Sequence, residues 1–486
     1  MEDRAPGLDA RRGLSTGDCA PAAALAEAPP PLLPASAALA INGMVVAKSA
    51  SKSKTRPPQL PQPPASARDF LLSRPRGAYT ALSVSPSGRA QFWQEHCERL
   101  AATLAILCEG DRESEAENEG ENGNKQLFPL FRAWHASSER AVPLPLASLV
   151  GDALLPSVRA AVSAVRELQR EEELEGSSEG EEVVVVAEKD EEPAPSSSSS
   201  SSSRCAGPGP VSVVVLLSEP EAGEEEVSEV QRHLEALPLD FSVFAWAGGG
   251  GAAVAAAAAA PAAAEVAIPV VPAAAVVGGP RSRPHAKDSS WVRARAPLEA
   301  KLEGIVFDET LPSASSSVAK REGLLADSRG RLLEGLVTNV FVVVEDEGED
   351  EGEEEESEAK GGRASALSSR FSLQTAPAES SSSSTESGGG VLDGVMRRAV
   401  LEAAEALSLR VALSAPDPRE RARWREAFVT SALRGVAAVA RLRGGGGEFG
   451  NETWRLDFES ESVPGSVTRE IAEALPVVMR RHEVKL

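Results

Sequence analysis

The sequence predicts an α/β (α+β) chain of two domains, interrupted by low-complexity inserts. Three observations predict it. Blocks rich in β-branched residues are interleaved with blocks at helical spacing. An Ala/Gly/Pro-rich stretch at 247–277 separates an early set of blocks from a late one. Between the blocks lie a serine run at 196–203 and an acid run, EDEGEDEGEEEESE, at 345–358. Such runs hold too few apolar groups to offset their ordering entropy.

The first domain is expected at 40–246. GAYTALSVSPSGRAQFWQEHCERLAATLAIL (77–107) starts as a strand, turns at Pro-Ser-Gly and enters a helix with Leu100, Leu104 and Ile106 on its apolar side. ASLVGDALLPSVRAAVSAVREL (147–168) has helical spacing, and VSVVVLLSE (211–219) and LDFSVFAWAG (239–248) are strand-like. The stretch 247–277 is expected to be a linker, and 278–486 the second domain. There RLLEGLVTNVFVVVEDE (331–347) places Glu334 and Asn339 at the edge of an apolar strand. A helix is expected from about Val395, with Asp393 as its N-cap. Residues 1–39 are expected to be a disordered leader, and 171–208, 345–369 and 378–390 disordered surface loops.

The chain has 486 residues and a formal net charge of −23. Much of that charge lies in the acidic inserts, so it reports solvated loops rather than an acidic binding face. A basic stripe is lacking, which argues against a nucleic-acid partner. Cys19, Cys97, Cys108 and Cys205 show neither paired nor metal-ligand spacing, so no metal site and a reducing compartment are expected. No segment reads as transmembrane, and no membrane partner is expected. The leader carries arginines, serines and alanines but also five acidic residues. A cytoplasmic location is expected, with import into a plastid or mitochondrion left open.

Six blocks then occur in a fixed order: HCERL (96–100), PHAKD (284–288), LLEGLVTNVFVV (332–343), LQTAP (373–377), LDGVMR (392–397) and EAFVTSAL (426–433). Together they resemble the class IV pyridoxal-phosphate enzymes, the family of branched-chain and D-amino acid aminotransferases and aminodeoxychorismate lyase. RGAYT (76–80) and KDSSWVRARAPLE (287–299) are most similar to its plant and algal aminotransferase-like branch. The resemblance spans roughly residues 40–486, broken by inserts.

The resemblance implies a two-domain fold with pyridoxal 5'-phosphate in the interdomain cleft, held mainly by 278–486. It implies Lys287 as the Schiff-base lysine and proton carrier, Glu334 as the partner of the ring nitrogen, and Arg99 as a phosphate ligand. Further phosphate donors are Gly394, Val395 and Met396 at a helix start, with Thr430 and Ser431. Tyr79, Ala432 and Leu433 would line the substrate pocket. For Asn339 two roles stay open, bracing the turn or touching ligand, and His96 is expected to be structural. The chain departs from the family pattern at Val292, where many members carry a tyrosine five residues after the lysine. It also departs at Ser431–Leu433, which is closer to the lyase pattern. The activity implied is amino transfer between an amino acid and a 2-oxo acid, by a homodimer. Two alternatives remain: pyruvate elimination from aminodeoxychorismate, and a non-catalytic binding protein on the same fold.

Overall fold

Two β-sheets organise the chain, each with a core on both faces. The computed structural model describes residues 37–41, 44–48, 63–117, 146–178, 209–219, 239–247, 268–307, 321–346, 370–378, 390–445, 453–458 and 463–486. Residues 34–486 form one compact unit.

The first sheet contains β1 (Ala37–Ile41), β2 (Met44–Lys48), β3 (Ala78–Val84), β4 (Arg89–Gln91), β5 (Val211–Ser218) and β6 (Asp240–Ala247). The last strand of the chain, β18 (Glu483–Lys485), completes it, in the order β18-β4-β3-β5-β6-β1-β2, with every pairing antiparallel. All eight residues of β5 are buried because both faces are covered. Val211, Val213, Val215 and Leu217 face the helices α2 (Trp93–Glu117) and α3 (Leu146–Ser178). Val214 and Leu216 face the opposite way, with Tyr79, Phe244 and the short helix α1 (Ala67–Leu72).

The second sheet has eleven strands. They are β7 (Val270–Val271), β8 (Ala274–Gly278), β9 (Glu322–Ala326), β10 (Leu332–Gly335), β11 (Asn339–Glu345), β12 (Phe371–Thr375), β13 (Arg410–Leu413), β14 (Trp424–Ser431), β15 (Gly435–Val439), β16 (Arg441–Gly444) and β17 (Trp454–Asp457). Helices α4 (Ser290–Ala294) and α5 (Ala296–Glu303) follow β8, α6 (Val395–Ala406) follows β12, and α7 (Ser466–Arg481) precedes β18. The apolar run of β11 divides by the period of two: Phe341 and Val343 pack under α6 and α7, while Val340, Val342 and Val344 face the other core. Phe341 stacks on Phe428 of β14 at 5.0 Å between ring centroids.

Several expectations are corrected here. The expected linker 247–277 holds β7 and β8, both strands of the second sheet. Its alanines are core residues: Ala273 and Ala275 pack with Leu302 of α5. A side chain on Gly278 would meet Leu298 at 2.9 Å, so the composition that looks like a linker is what lets α5 lie close on β8. The expected leader ends inside β1, and the expected loop at 171–208 begins inside α3, which runs on to Ser178. Glu345 and Asp346 belong to the end of β11 rather than to an insert: Glu345 pairs with Arg370 and Arg425, and Asp346 with Arg410. The rest of the expected leader and loops lies outside the described residues, apart from Arg370–Ala378 and Gly390 at their margins. Among the described residues one helix, α3, is long and apolar enough, by length and composition alone, to cross a membrane over Leu146–Leu174. Its Val150, Leu154, Val158, Ala161 and Val165 are core residues of the first sheet.

Candidate active site

A cavity of about 320 Å³ lies between the Tyr79 face of the first sheet and the ends of the central strands β10, β11 and β14 of the second. That volume falls in the range of small-ligand sites. Tyr79, Arg99, Lys287, Glu334, Gly394, Val395, Met396, Thr430, Ser431, Ala432 and Leu433 all line it, so the residues to which the resemblance gave a cofactor or substrate role lie around one space.

Lys287 is fixed by its backbone. Its carbonyl accepts from Tyr79 N–H at 2.9 Å, and its own N–H donates to Thr103 Oγ1 at 3.1 Å. Next to it, Asp288 bridges to Ala78 and takes a forked pair of bonds from Arg76, the shortest 2.5 Å. The segment after β8 is thereby sewn to β3 of the other sheet, and the amine lies 5.1 Å from the Tyr79 ring centroid. Burial, then Arg99, Arg281 and Arg295, push the Lys287 amine well below the usual lysine range. A deprotonated amine is the nucleophile that covalent catalysis on a carbonyl needs.

Glu334 is the next-to-last residue of β10 and is paired in register with Asn339 of β11. It is buried, which pushes its carboxyl up, against the pull of Arg281, the Leu392 N–H and Lys287. Arg281 Nη1 stands 3.5 Å from Glu334 Oε1, and Leu392 N–H donates to Oε2 at 3.2 Å. Asn339 Nδ2 donates to the carbonyl of the same Leu392 at 2.8 Å. The facing pair therefore grips both polar groups of one loop residue, which gives Asn339 a bracing role while it also lines the cavity.

That loop leads directly into α6. Its N-cap is Gly394 rather than the expected Asp393, with no side-chain cap. Asp393 instead accepts from Arg397 and from Arg398 Nε, the latter at 2.7 Å. The first-turn amides, which have no intrahelical partner, stay open at the cavity end of the helix. A side chain on Gly394 would collide with Asn339 Oδ1, so only glycine lets the loop approach this closely.

Arg99, one helical turn after His96 on α2, reaches the same end of the cavity. It donates to Thr80 Oγ1 and, at 3.0 Å, to His96 Nδ1. Thr80 Oγ1 stands 2.7 Å from Nδ1 as well. The arginine can only donate, so Nδ1 is an acceptor and His96 is neutral, with its proton on Nε2. Burial, then Arg99 and Lys287, push its pKa well down, in agreement with a structural role. Arg99 itself is lowered by burial to about 10 and so keeps its charge at neutral pH.

These residues suit pyridoxal phosphate. Arg99 Nε and Thr430 Oγ1 are buried polar atoms without a partner at the wall, as donors awaiting an anion would be. With the open turn of α6 they make an anion-binding end. Glu334 and Lys287 supply an acid–base pair for a ring nitrogen and a carbonyl carbon.

Sequence reasoning missed Arg281, Arg68, Arg295 and Arg434, which also line the cavity. Arg281 stacks on Trp291 and donates to Ala286 O at 2.7 Å; its place six residues before Lys287 was the one available signal. Arg68 and Arg295 share Glu299, and Arg434 pairs with the buried Glu322 at 2.9 Å. Nothing local in the sequence marks these three. Val292, at the family's tyrosine position, is fully buried against Phe70 and Tyr79 and does not line the cavity.

Residues 216–442 match the family model described as amino-transferase class IV. That segment, a little under half of the chain, is a class IV aminotransferase segment, and the chain carries it. The chain is thus a pyridoxal-phosphate-dependent enzyme of aminotransferase type. The matched segment contains Lys287, Glu334, Gly394 and Thr430, whereas Tyr79 and Arg99 lie outside it and reach the cavity through the first sheet and α2. Among solved structures, the chain is similar to a branched-chain aminotransferase from Thermoproteus uzoniensis, at 14% identity and a TM-score of 0.43, with 92% of this chain and 99% of that one covered. It is also similar to a fold IV transaminase from Curtobacterium pusillum, at 15% identity and a TM-score of 0.42, with 90% and 99% covered. A PLP-bound hypothetical aminotransferase from Mycobacterium tuberculosis is similar at 14% identity and a TM-score of 0.43, with 91% and 98% covered. A search of curated protein sequences finds no match.

Proposed function

We propose that the chain transfers an amino group between an amino acid and a 2-oxo acid, with pyridoxal phosphate attached covalently at Lys287. The observation that carries this reading is the buried, charge-depressed amine of Lys287 in one cavity with Glu334 and an uncapped helix start. Bound pyridoxal phosphate supplies an electron sink for the pair left at the substrate α-carbon. Glu334 holds a proton on the ring nitrogen, and Arg281 and the Leu392 N–H keep that carboxylate ionised and oriented. Arg99, Thr430 and the amides of Val395 and Met396 hold the phosphate, with Gly394 admitting it. The Lys287 amine would take the proton from the substrate α-carbon and give it back later in the exchange.

Arg68 and Arg295 share the single carboxylate Glu299, while Arg434 is matched by Glu322, so the wall keeps an excess cation that suits a carboxylate-bearing substrate. Ser431, Ala432 and Leu433 form the hairpin turn between β14 and β15, where Arg434 N–H donates to Ser431 Oγ at 3.2 Å. That bond fixes the turn facing the substrate space. The same reading includes a homodimer, which sedimentation equilibrium measures. The test of the reaction is a screen of amino donors against 2-oxo acids on purified protein, with aminodeoxychorismate in parallel. Donor-dependent appearance of a new amino acid is expected. Release of pyruvate without an acceptor would replace the transaminase by a lyase.

A further inference from the structure

A second cavity of about 320 Å³, lined by Phe92, Glu95, Arg398, Glu402 and His482, shares Val395 with the cofactor cavity. His482, just past the end of α7, is lodged here between two carboxylates. Its Nδ1 is 2.5 Å from Glu95 Oε1 on α2, and its Nε2 is 3.0 Å from Glu402 Oε2 on α6. The ring stacks on Phe92 at 5.2 Å, and its backbone carbonyl accepts from Phe92 N–H at 2.9 Å, so the imidazole is held rather than swinging.

A neutral imidazole has one donor and one acceptor nitrogen, and an ionised carboxylate only accepts. Both contacts are hydrogen bonds only when both ring nitrogens carry protons. The charged groups around the ring from each packed element are Glu95 and Glu98 on α2, Arg398 and Glu402 on α6, and Arg481 on α7, with Glu483 following on β18. Arg481 takes the other oxygen of Glu402 at 2.8 Å, Arg398 is 3.8 Å from Glu98, and Glu483 is 3.9 Å from Arg89. His482 is thus the link through which one side chain bonds both α2 and α6.

Those two helices are the ones that share the anion-binding end: α2 carries Arg99 one turn after Glu95, and α6 presents its open first turn. We propose that His482 is a positioning residue, an imidazolium clasp that sets the spacing between Arg99 and the start of α6 and so tunes affinity for the cofactor's phosphate. This rests on the functional reading above. When the ring loses its proton, one nitrogen presents a lone pair to a carboxylate, that bond is lost, and the longer Arg398–Glu98 contact at 3.8 Å is left to join α2 to α6.

The test measures the pyridoxal phosphate dissociation constant of the full chain by equilibrium dialysis, for wild type, His482→Gln, His482→Arg and Glu402→Gln, at about pH 6 and about pH 8. Attachment at Lys287 is common to all four proteins, so it cancels between them. At the lower pH, His482→Gln should bind about tenfold more weakly than wild type, the effect of losing a charge-assisted bond. At the higher pH the two should converge. Glu402→Gln should lose about as much as His482→Gln at the lower pH, and His482→Arg, a permanent cation able to bond both carboxylates, should match wild type at the lower pH and bind more tightly than it at the higher. His482→Gln within twofold of wild type at both pH values would overturn the clasp, as would a loss equal at both and not restored by arginine. Failure of wild type itself to bind would instead overturn the functional reading beneath it.

Discussion

Replacing Arg281 by methionine tests how the site controls its buried carboxylate. Methionine keeps an apolar stem against Trp291 and removes the cation 3.5 Å from Glu334. Both side chains are under a tenth exposed, 8% and 5%, so solvent cannot replace the lost partner. Breaking a buried pair from one side costs about 3–5 kcal/mol. The long contact and the surviving Leu392 N–H at 3.2 Å put this case at the low end, about 3 kcal/mol. Glu334 has one escape, which is to take up a proton. Burial already raises its pKa in the folded chain. Its contribution to stability is therefore fully present below the unfolded value, about 4.3, and is lost as pH rises through the folded value. Without Arg281 the folded value climbs further, so the variant's deficit should be small near pH 5 and grow by about 1.4 kcal/mol per pH unit until it saturates. Urea unfolding of cofactor-stripped protein at about pH 5 and about pH 8 measures this. A deficit equal at both pH values would refute the pairing and leave Arg281 a mere packing residue.

Two further substitutions separate bracing from ligand contact. Asn339→Leu leaves the Leu392 carbonyl without its bond; it should cost about 1–3 kcal/mol of stability in urea unfolding and weaken cofactor binding, because the same loop starts α6. Arg99→Ala removes one of several phosphate donors, so cofactor affinity by dialysis should fall by about ten- to a hundredfold, with borohydride-fixed attachment still obtained at saturating cofactor.

The parts of the fold legible in the sequence were those whose local pattern matches their packing. β5 and the middle of β11 are mostly apolar because both faces are covered, and α6 ends where its apolar spacing stops, whereas α2 runs on to Glu117, past the expected end at 107. Lys287, Glu334, Arg99 and Gly394 were legible because each sits in a short ordered block. The strands β7 and β8 were not, because close approach of α5 selects alanine and glycine there, the composition of a linker. Asp393 looked like a cap because it precedes an apolar period, but Arg397 and Arg398 draw its carboxylate away from the helix start. The arginine wall was invisible for a different reason. Arg68 comes from α1, Arg295 from the junction of α4 and α5, and Arg434 from the β14–β15 turn, and only the meeting of the two sheets gathers them.

The site account stands most directly on the identity of the attached lysine. Among the described residues Lys287 is the only lysine lining the cavity. Borohydride reduction of the cofactor-loaded protein, followed by peptide mass mapping, should find one phosphopyridoxyl group, on Lys287, and none in Lys287→Ala. A label on any other lysine, or none in the wild type, would contradict the account.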